Sequence, residues 1–319
     1  MNESEFIARL RGLATHPAAR GLMDDAAVLD LGGQGLVLTH DMLVEGVHYL
    51  PDDPPHSVAW KLIAVNMSDL AAKGAKPLGV MLGFSLTGGD DWDEAFVQGL
   101  DEALTYFNVP LLGGDTVSMP AGAPRALGLT AIGAASIREV PSRTGAKPGD
   151  LLFVSGALGS SGAGLAILRD NPTPEVPEAA ALIDAYRRPM PDMALGQVLA
   201  PFVTAMADIS DGLLIDARRI AEASCCAASI DIAMVPLSPD FVALRGNSTQ
   251  DRLFAATAGD DYRLLFAVDP SRRAEIEVVA NSQRAQLTKV GRFAEGAGLS
   301  IHEGEHALPL PSRLGYLHG

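Results

Sequence analysis

Aspartate is the residue type through which this sequence could do chemistry. Asp24-Asp25 precede the apolar run Ala26-Ala27-Val28-Leu29, and Asp41 follows the strand-like Leu36–Thr39. Asp69 lies inside the helix-like Val65-Asn66-Met67-Ser68-Asp69-Leu70. Asp115 follows a glycine pair, Asp208 and Asp211 flank Ile209-Ser210, and Asp260-Asp261 follow Gly259. These acids stand at expected element ends, beside small residues and within apolar sequence. Two carboxylates about 4 Å apart repel by about 4 kcal/mol at an effective dielectric of about 20, so several converge only with cations between them. Hard oxygen donors with little His or Cys select Mg2+ or Ca2+ over zinc, and Mg2+ typically shares one or two carboxylates with substrate phosphates. The competing reading makes each acid a turn residue or a helix N-cap, and Asp208, Ser210 and Asp211 all qualify as caps. Capping explains neither Asp69, within a helix, nor Asp115, after a strand.

Other motifs carry two readings each. Gly156-Ala157-Leu158-Gly159-Ser160-Ser161-Gly162-Ala163-Gly164 lies between an expected strand and helix. That position suits either a phosphate cradle or a tight turn with close helix packing. It is no G-x-G-x-x-G, and no Lys-Ser/Thr follows to complete a Walker A. His302-Glu303-Gly304-Glu305-His306 matches H-E-x-x-H literally, but Gly304 in its middle and Pro309 and Pro311 beyond it favour a hairpin over a zinc-binding helix. His48 is either a structural histidine or a site residue. Arg143 is either a phosphate contact or a solvated loop charge. No G-x-S-x-G elbow is present.

The elements that would position these residues alternate between strand and helix, as in α/β or α+β proteins. Strands are expected at Leu36–Thr39 (ending in Asp41), Val80–Leu86, Leu111–Leu112, Ala126–Ala135 and Leu151–Ser155. Helices are expected over His56–Lys73, stopping at Gly74, and over Asp91–Phe107, Gly156–Arg169 (opened by the glycine-rich turn) and Gly212–Ser224. The tail Leu299–Leu310 has hairpin character. The turn-rich stretch from Val140 to Asp150 is the best domain boundary, dividing the chain into 1–140 and 141–319.

Composition narrows the function. The chain has 319 residues, enough for two domains at about 150 residues each. Hydrophobic residues make up 48% and charged residues 20%, which excludes a disordered tail. A net charge of −15 repels nucleic acid and anionic membrane, so a bound polyanion such as ATP would need a divalent cation as bridge. The longest apolar run, Leu78–Leu86, falls short of the roughly 20 residues of a membrane span. No basic, then apolar, N-terminal region is visible, and a cytoplasmic protein is expected. Cys225 and Cys226 are adjacent and offer neither a disulfide framework nor a C-x-x-C site.

Taken in order, the aspartate blocks resemble the thiamine-monophosphate kinase family, relatives of aminoimidazole ribonucleotide synthetase and selenophosphate synthetase. The blocks are Asp24-Asp25-Ala26-Ala27-Val28, Asp41 to His48, Ala64 to Ala72, Gly113-Gly114-Asp115-Thr116, Arg143 to Asp150, Asp208 to Leu213 and Gly259-Asp260-Asp261-Tyr262. The resemblance implies ATP-dependent phosphorylation of thiamine monophosphate to thiamine diphosphate by direct transfer on several Mg2+ ions. It implies the two-domain aminoimidazole ribonucleotide synthetase-like fold. In that fold an N-terminal α/β domain pairs its sheet across a homodimer and an α+β domain follows. By position it makes Asp25, Thr39, Asp41, Asp69, Asp115, Asp208 and Asp211 metal ligands, with Asp41, Asp115, Asp208 and Asp211 catalytic. Gly114, Asp115, Arg143 and Ser210 would contact ATP, and His48, Asp260 and Tyr316 would face thiamine monophosphate.

The chain departs from the family pattern in places. Thr39-His40-Asp41 stands for Ser/Thr-Thr-Asp, and Ala72-Lys73-Gly74-Ala75 for Ala-Met-Gly-Ala. Gly259-Asp260-Asp261-Tyr262-Arg263-Leu264 stands for Gly-Glu-Asp-Tyr-Glu-Leu, which shortens one carboxylate by a methylene. Two other functions compete: an ATP-dependent synthetase of the same superfamily with another substrate, and a non-catalytic nucleotide- or metal-binding protein.

Overall fold

The computed structural model describes residues 3–33, 35–170 and 177–317. The first part comprises α1 (Glu3–Arg11), β1 (Ala27–Asp30), β2 (Gly35–Val44), α2 (Pro55–Ala72), β3 (Ala75–Leu86), α3 (Asp90–Phe107), β4 (Leu111–Ser118) and β5 (Ala126–Ala135). Its five strands form one sheet in the order β1-β2-β5-β3-β4, antiparallel except where β3 meets β4. The second part begins with β6 (Leu151–Ser155), α4 (Ser160–Asp170), α5 (Pro177–Arg187), α6 (Met193–Leu199), β7 (Ala205–Asp208) and α7 (Leu213–Ala223). It continues with β8 (Ala227–Asp231), α8 (Pro239–Arg245), α9 (Thr249–Thr257), β9 (Leu264–Val268), α10 (Arg273–Gln283), β10 (Leu287–Ala294), β11 (Gly298–Glu303) and β12 (His306–Leu308). These strands form a seven-stranded sheet in the order β12-β11-β8-β10-β6-β9-β7. Among the described residues no helix is long and apolar enough to cross a membrane.

Helix α2 joins the two parts. It starts at a proline pair whose second member, Pro55, lies in the first turn, where its missing N–H costs nothing. It ends at Lys73 and at Gly74, whose φ of 58° suits glycine. A Cβ on Gly74 would lie 2.5 Å from the Ala200 Cβ, so close packing against α6 also requires the glycine. Every residue from Ser57 to Ala72 is buried, because β2 and β5 lie on one side and α6 and β7 on another. Lys61, Asn66, Ser68, Asp69 and Lys73 are therefore polar groups in an interior and must find partners there. A core around Leu62, Ile63 and Leu129 fills the first part, and one around Leu214, Ile230 and Phe241 fills the second. A third cluster packs Ala71 and Ala72 of α2 against Leu199, Met206 and Phe266, so the two parts share a core.

Two expectations about element ends are corrected. Asp41 does not end its strand, because β2 runs on to Val44 with Asp41 paired to Leu129 of β5. Val37, Thr39, Asp41 and Leu43 alternate onto the face that α2 covers, so the acid occupies a core-facing position within an intact ladder. Asp115 likewise sits inside β4 rather than at its end. The H-E-x-x-H residues form the expected hairpin: Glu303 pairs with His306, and the His302 Nδ1 lies 2.8 Å from the Gly304 carbonyl. The helix that zinc chemistry requires is not formed there.

Candidate active site

Carboxylate oxygens of Asp25, Asp69 and Asp208 lie within 4.8 Å of one another. Each comes from a different element: Asp25 from the approach to β1, Asp69 from the last turns of α2, and Asp208 from the end of β7. Thr39, on β2, donates its hydroxyl to Asp69 and, at 3.3 Å, to the Asp25 carbonyl. Ser68 donates to Asp208 at 2.6 Å. The Asp41 amide is held by the Asn66 Oδ1 at 3.2 Å, which ties β2 to α2. Asp25 is ion-paired to Arg143 and, at 2.6 Å, to Lys73, and its side chain is 1% exposed.

The acids strain one another electrostatically. Burial, with Asp25 and Asp211 nearby, pushes Asp41 up to about 6. Burial and Asp25 push Asp208 up to about 8, against the Ser68 bond that lowers it. Asp69 is driven well above the usual carboxylate range by burial and then by Asp41, Asp208 and Asp25. Burial opposes the charges of Lys73 and Arg143, but in each case the surrounding aspartates outweigh it and raise the pKa. The donors are hard oxygens with no sulfur or imidazole among the three converging acids, and their mutual repulsion is the kind that a divalent cation relieves. The set therefore fits Mg2+.

Several sequence assignments resolve here. None of Asp208, Ser210 and Asp211 caps α7; its N-cap is Gly212, and the Asp211 and Gly212 amides bond instead to Asp216 at 3.1 and 3.2 Å. Asp211 faces Arg219 at 2.5 Å, and Arg219 also holds Asp216 at 2.8 Å. Ser210 lies in the turn between β7 and α7, its carbonyl accepting the Asp260 amide at 2.7 Å. Arg143 is no solvated loop charge, since its side chain is largely buried against Asp25. The glycine-rich turn is not an open cradle: the Gly159 amide binds the chain's own Asp261 carboxylate at 2.8 and 3.0 Å, and a Cβ on Gly164 would lie 2.0 Å from the Leu182 carbonyl. Close packing accounts for those glycines.

Asp260 bonds to Lys61 at 2.7 Å and to the Tyr262 hydroxyl at 2.9 Å. Lys61 also donates to the His48 carbonyl at 3.2 Å and lies 4.0 Å from the Tyr186 ring centre, so His48 and Asp260 share one anchor. The His48 Nδ1 accepts the Val44 amide at 3.0 Å. Tyr316 is exposed, with its amide on the Asp211 carbonyl at 2.9 Å. His40 points away from the cluster, its Nδ1 2.9 Å from the Thr130 hydroxyl, so its departure from the family pattern leaves the acids untouched.

Gly114 and Asp115 are not brought to the cluster within one chain. Asp115 pairs with Gly83, which pairs with Gly128, which pairs with Met42 on the exposed face of the sheet. Asp41 points to the opposite face, and three strand spacings, about 14 Å, separate the two strands. All of β4 is exposed, and the Asp115 carboxylate accepts the Thr116 amide at 2.9 Å. Gly114 must be glycine because a Cβ would lie 1.8 Å from the Leu82 carbonyl. The sequence reading missed Lys61, Asn66, Ser68, Asp216 and Arg219. A lysine inside an apolar helical pattern was the available signal for Lys61; the rest depend on which faces meet.

The class of protein follows from comparison with known families. Residues 23–135 match the model of the AIR synthase related protein N-terminal domain, and residues 147–303 that of the C-terminal domain. Thiamine-monophosphate kinase of Caulobacter vibrioides is 40% identical, covering 99% of this chain and 91% of the relative. That of Escherichia coli (strain K12) is 37% identical, covering 89% and 88%. A structure of AaThiL complexed with AMPPCP and TMP superposes with a TM-score of 0.85 at 28% identity, covering 99% of this chain and 97% of that one. The chain belongs to the AIR synthase related family, within its thiamine-monophosphate kinase branch.

Proposed function

We propose that the protein transfers the γ-phosphoryl group of ATP to the phosphate of thiamine monophosphate, giving thiamine diphosphate and ADP. The observation that carries this reading is the convergence of Asp25, Asp69 and Asp208 where the two parts of the chain meet. The names of the relatives and the ligands of AaThiL support the choice of substrates. Asp25, Thr39, Asp41, Asp69, Asp208 and Asp211 would hold Mg2+, which when bound neutralises the phosphates of a loose phosphoryl-transfer transition state.

The acceptor is a phosphate oxygen that is already ionised, so no side chain needs to remove its proton. The chain's task is positioning and charge balance, which suits a site without an activated nucleophile. Arg143 contributes fixed positive charge for ATP beside Asp25, and Ser210 lies in the turn after Asp208. Lys61 holds Asp260 in an ion pair, and Asp260 with His48 and Tyr316 defines the proposed thiamine monophosphate end. Asp260, though shorter than the family's Glu, has both oxygens bonded, which favours a formed pocket over a lost one.

We further propose that residues 1–140 form the ATP, metal and dimerisation domain and 141–319 the second domain. The homodimer would pair the N-terminal sheets, whose outward residues Met42, Met81, Leu112 and Val117 are 46–58% exposed. Asp115, which its own chain keeps away from the acids, would lie in that interface. The test is chromatographic detection of thiamine diphosphate after incubation with thiamine monophosphate and ATP. Product that requires Mg2+, with little from free thiamine, supports the reading; ATP binding without product under the same conditions refutes it.

A further inference from the structure

We propose that the Lys73 ammonium is a built-in cation of the carboxylate site, standing where acids alone would take a further divalent ion. Lys73 is fully buried at the C-cap of α2, its backbone N–H bonded to the carbonyls of Asp69 and Leu70. Its Nζ lies 2.6 Å from Asp24, 2.6 Å from Asp25 and 3.3 Å from the Met206 carbonyl. An ammonium has three donors, and three acceptors surround this one, so the charge is fixed in place.

The neighbouring acids divide into two kinds. Asp24 has both oxygens on protein cations, Lys73 on one and Arg20 on the other, and serves as counter-ion rather than ligand. Asp25 pairs with Lys73 and Arg143, yet it also converges with Asp69 and Asp208. A carboxylate has about four lone-pair positions, so Asp25 can keep both protein cations and still face a metal. Packing does not call for the charge: a methionine, the residue of the family pattern here, fills a similar volume with no ammonium. Lys73 therefore supplies one positive charge at the Asp24–Asp25 pair whatever the Mg2+ concentration. The inference rests on the reading of Asp25, Asp69 and Asp208 as metal ligands.

The experiment counts Mn2+ bound per chain, by calorimetry and electron paramagnetic resonance, with a non-hydrolysable ATP analogue present. Wild type is compared with Lys73→Met and with Lys73→Met/Asp24→Asn, the second of which keeps the local charge balanced so that folding is spared. One additional Mn2+ per chain in folded Lys73→Met, with a larger Mn2+-dependent rise in Tm, and no additional ion in the charge-balanced double variant, is the expected result. An unchanged count in folded Lys73→Met, or the same gain in the double variant, overturns the proposal and leaves Lys73 a structural strut. An anomalous Mn2+ peak bridging Asp24 and Asp25 in wild-type crystals overturns it without any variant. Wild type that binds no Mn2+ and makes no thiamine diphosphate rejects the underlying site reading instead, a distinct outcome.

Discussion

Asp208 and Asp41 hold protons in the folded, metal-free protein at pH values where an exposed aspartate, with its ordinary 3.8, has lost them. The folded state then binds more protons than the unfolded chain between about pH 4 and pH 8, and stability falls as pH rises through that window. In EDTA we expect Tm to drop by on the order of 5–10 °C from pH 5 to pH 8, with Mg2+ suppressing the decline because a bound cation replaces the protons. A melting temperature flat with pH in EDTA would contradict this account of the acids. Asp208→Asn removes one of these charges without changing shape. Turnover should fall by about 100-fold or more, the scale of a metal-held charge, while Tm in EDTA at pH 8 stays level or rises. Near-wild-type turnover at saturating Mg2+ would remove Asp208 from the ligand set.

Helix α2 is the element on which the site depends, since it carries Lys61, Asn66, Ser68 and Asp69, with Lys73 at its C-cap, between the two sheets. Its apolar spacing made it readable as a helix from His56 to Lys73, within a residue of its observed start. Its burial on every side was not readable, because that depends on α6 and β7, which come from sequence far downstream. Trp60 anchors the helix, its indole N–H on the Pro189 carbonyl at 3.0 Å and its ring near Tyr106 and Phe107. Trp60→Ala should cost about 3–5 kcal/mol in urea unfolding, as for large aromatic truncations in cores. Gly74→Ala tests the other end: a positive φ and a colliding Ala200 predict a loss of at least about 1 kcal/mol. A neutral result would mean that α6 can move away from α2.

At the scale of the whole molecule, the position of Asp115 makes the site a question of assembly. If the proposed dimer brings Asp115 to the partner's acids, mixing two inactive variants tests it directly. Asp115→Asn and Asp208→Asn, unfolded together and refolded as heterodimers, should regain up to about a quarter of wild-type activity, because one of the two sites then carries neither change. No regain would remove Asp115 from the partner's site. Val117→Asp, on the open edge strand, should convert the proposed dimer to monomer in light scattering and abolish turnover with little change in Tm.

Local patterning determined much by itself. The spacing of apolar residues marked α2, α3, β5 and β6, and the ordered aspartate blocks marked the family and its chemistry. The H-E-x-x-H hairpin was legible too, because glycine and proline act on the backbone where they stand. Tertiary structure decided which aspartates meet. Asp25, Asp69 and Asp208 converge although three separate elements carry them, while Asp115, equally conspicuous in sequence, faces the other side of a sheet. It also decided that Asp216 and not Asp208, Ser210 or Asp211 bonds the amides at the start of α7, and that Asp261 fills the glycine-rich turn. Hydrogen bonds and ion pairs depend on distances between residues far apart in the chain, and those distances exist only once α2 has packed between the two sheets.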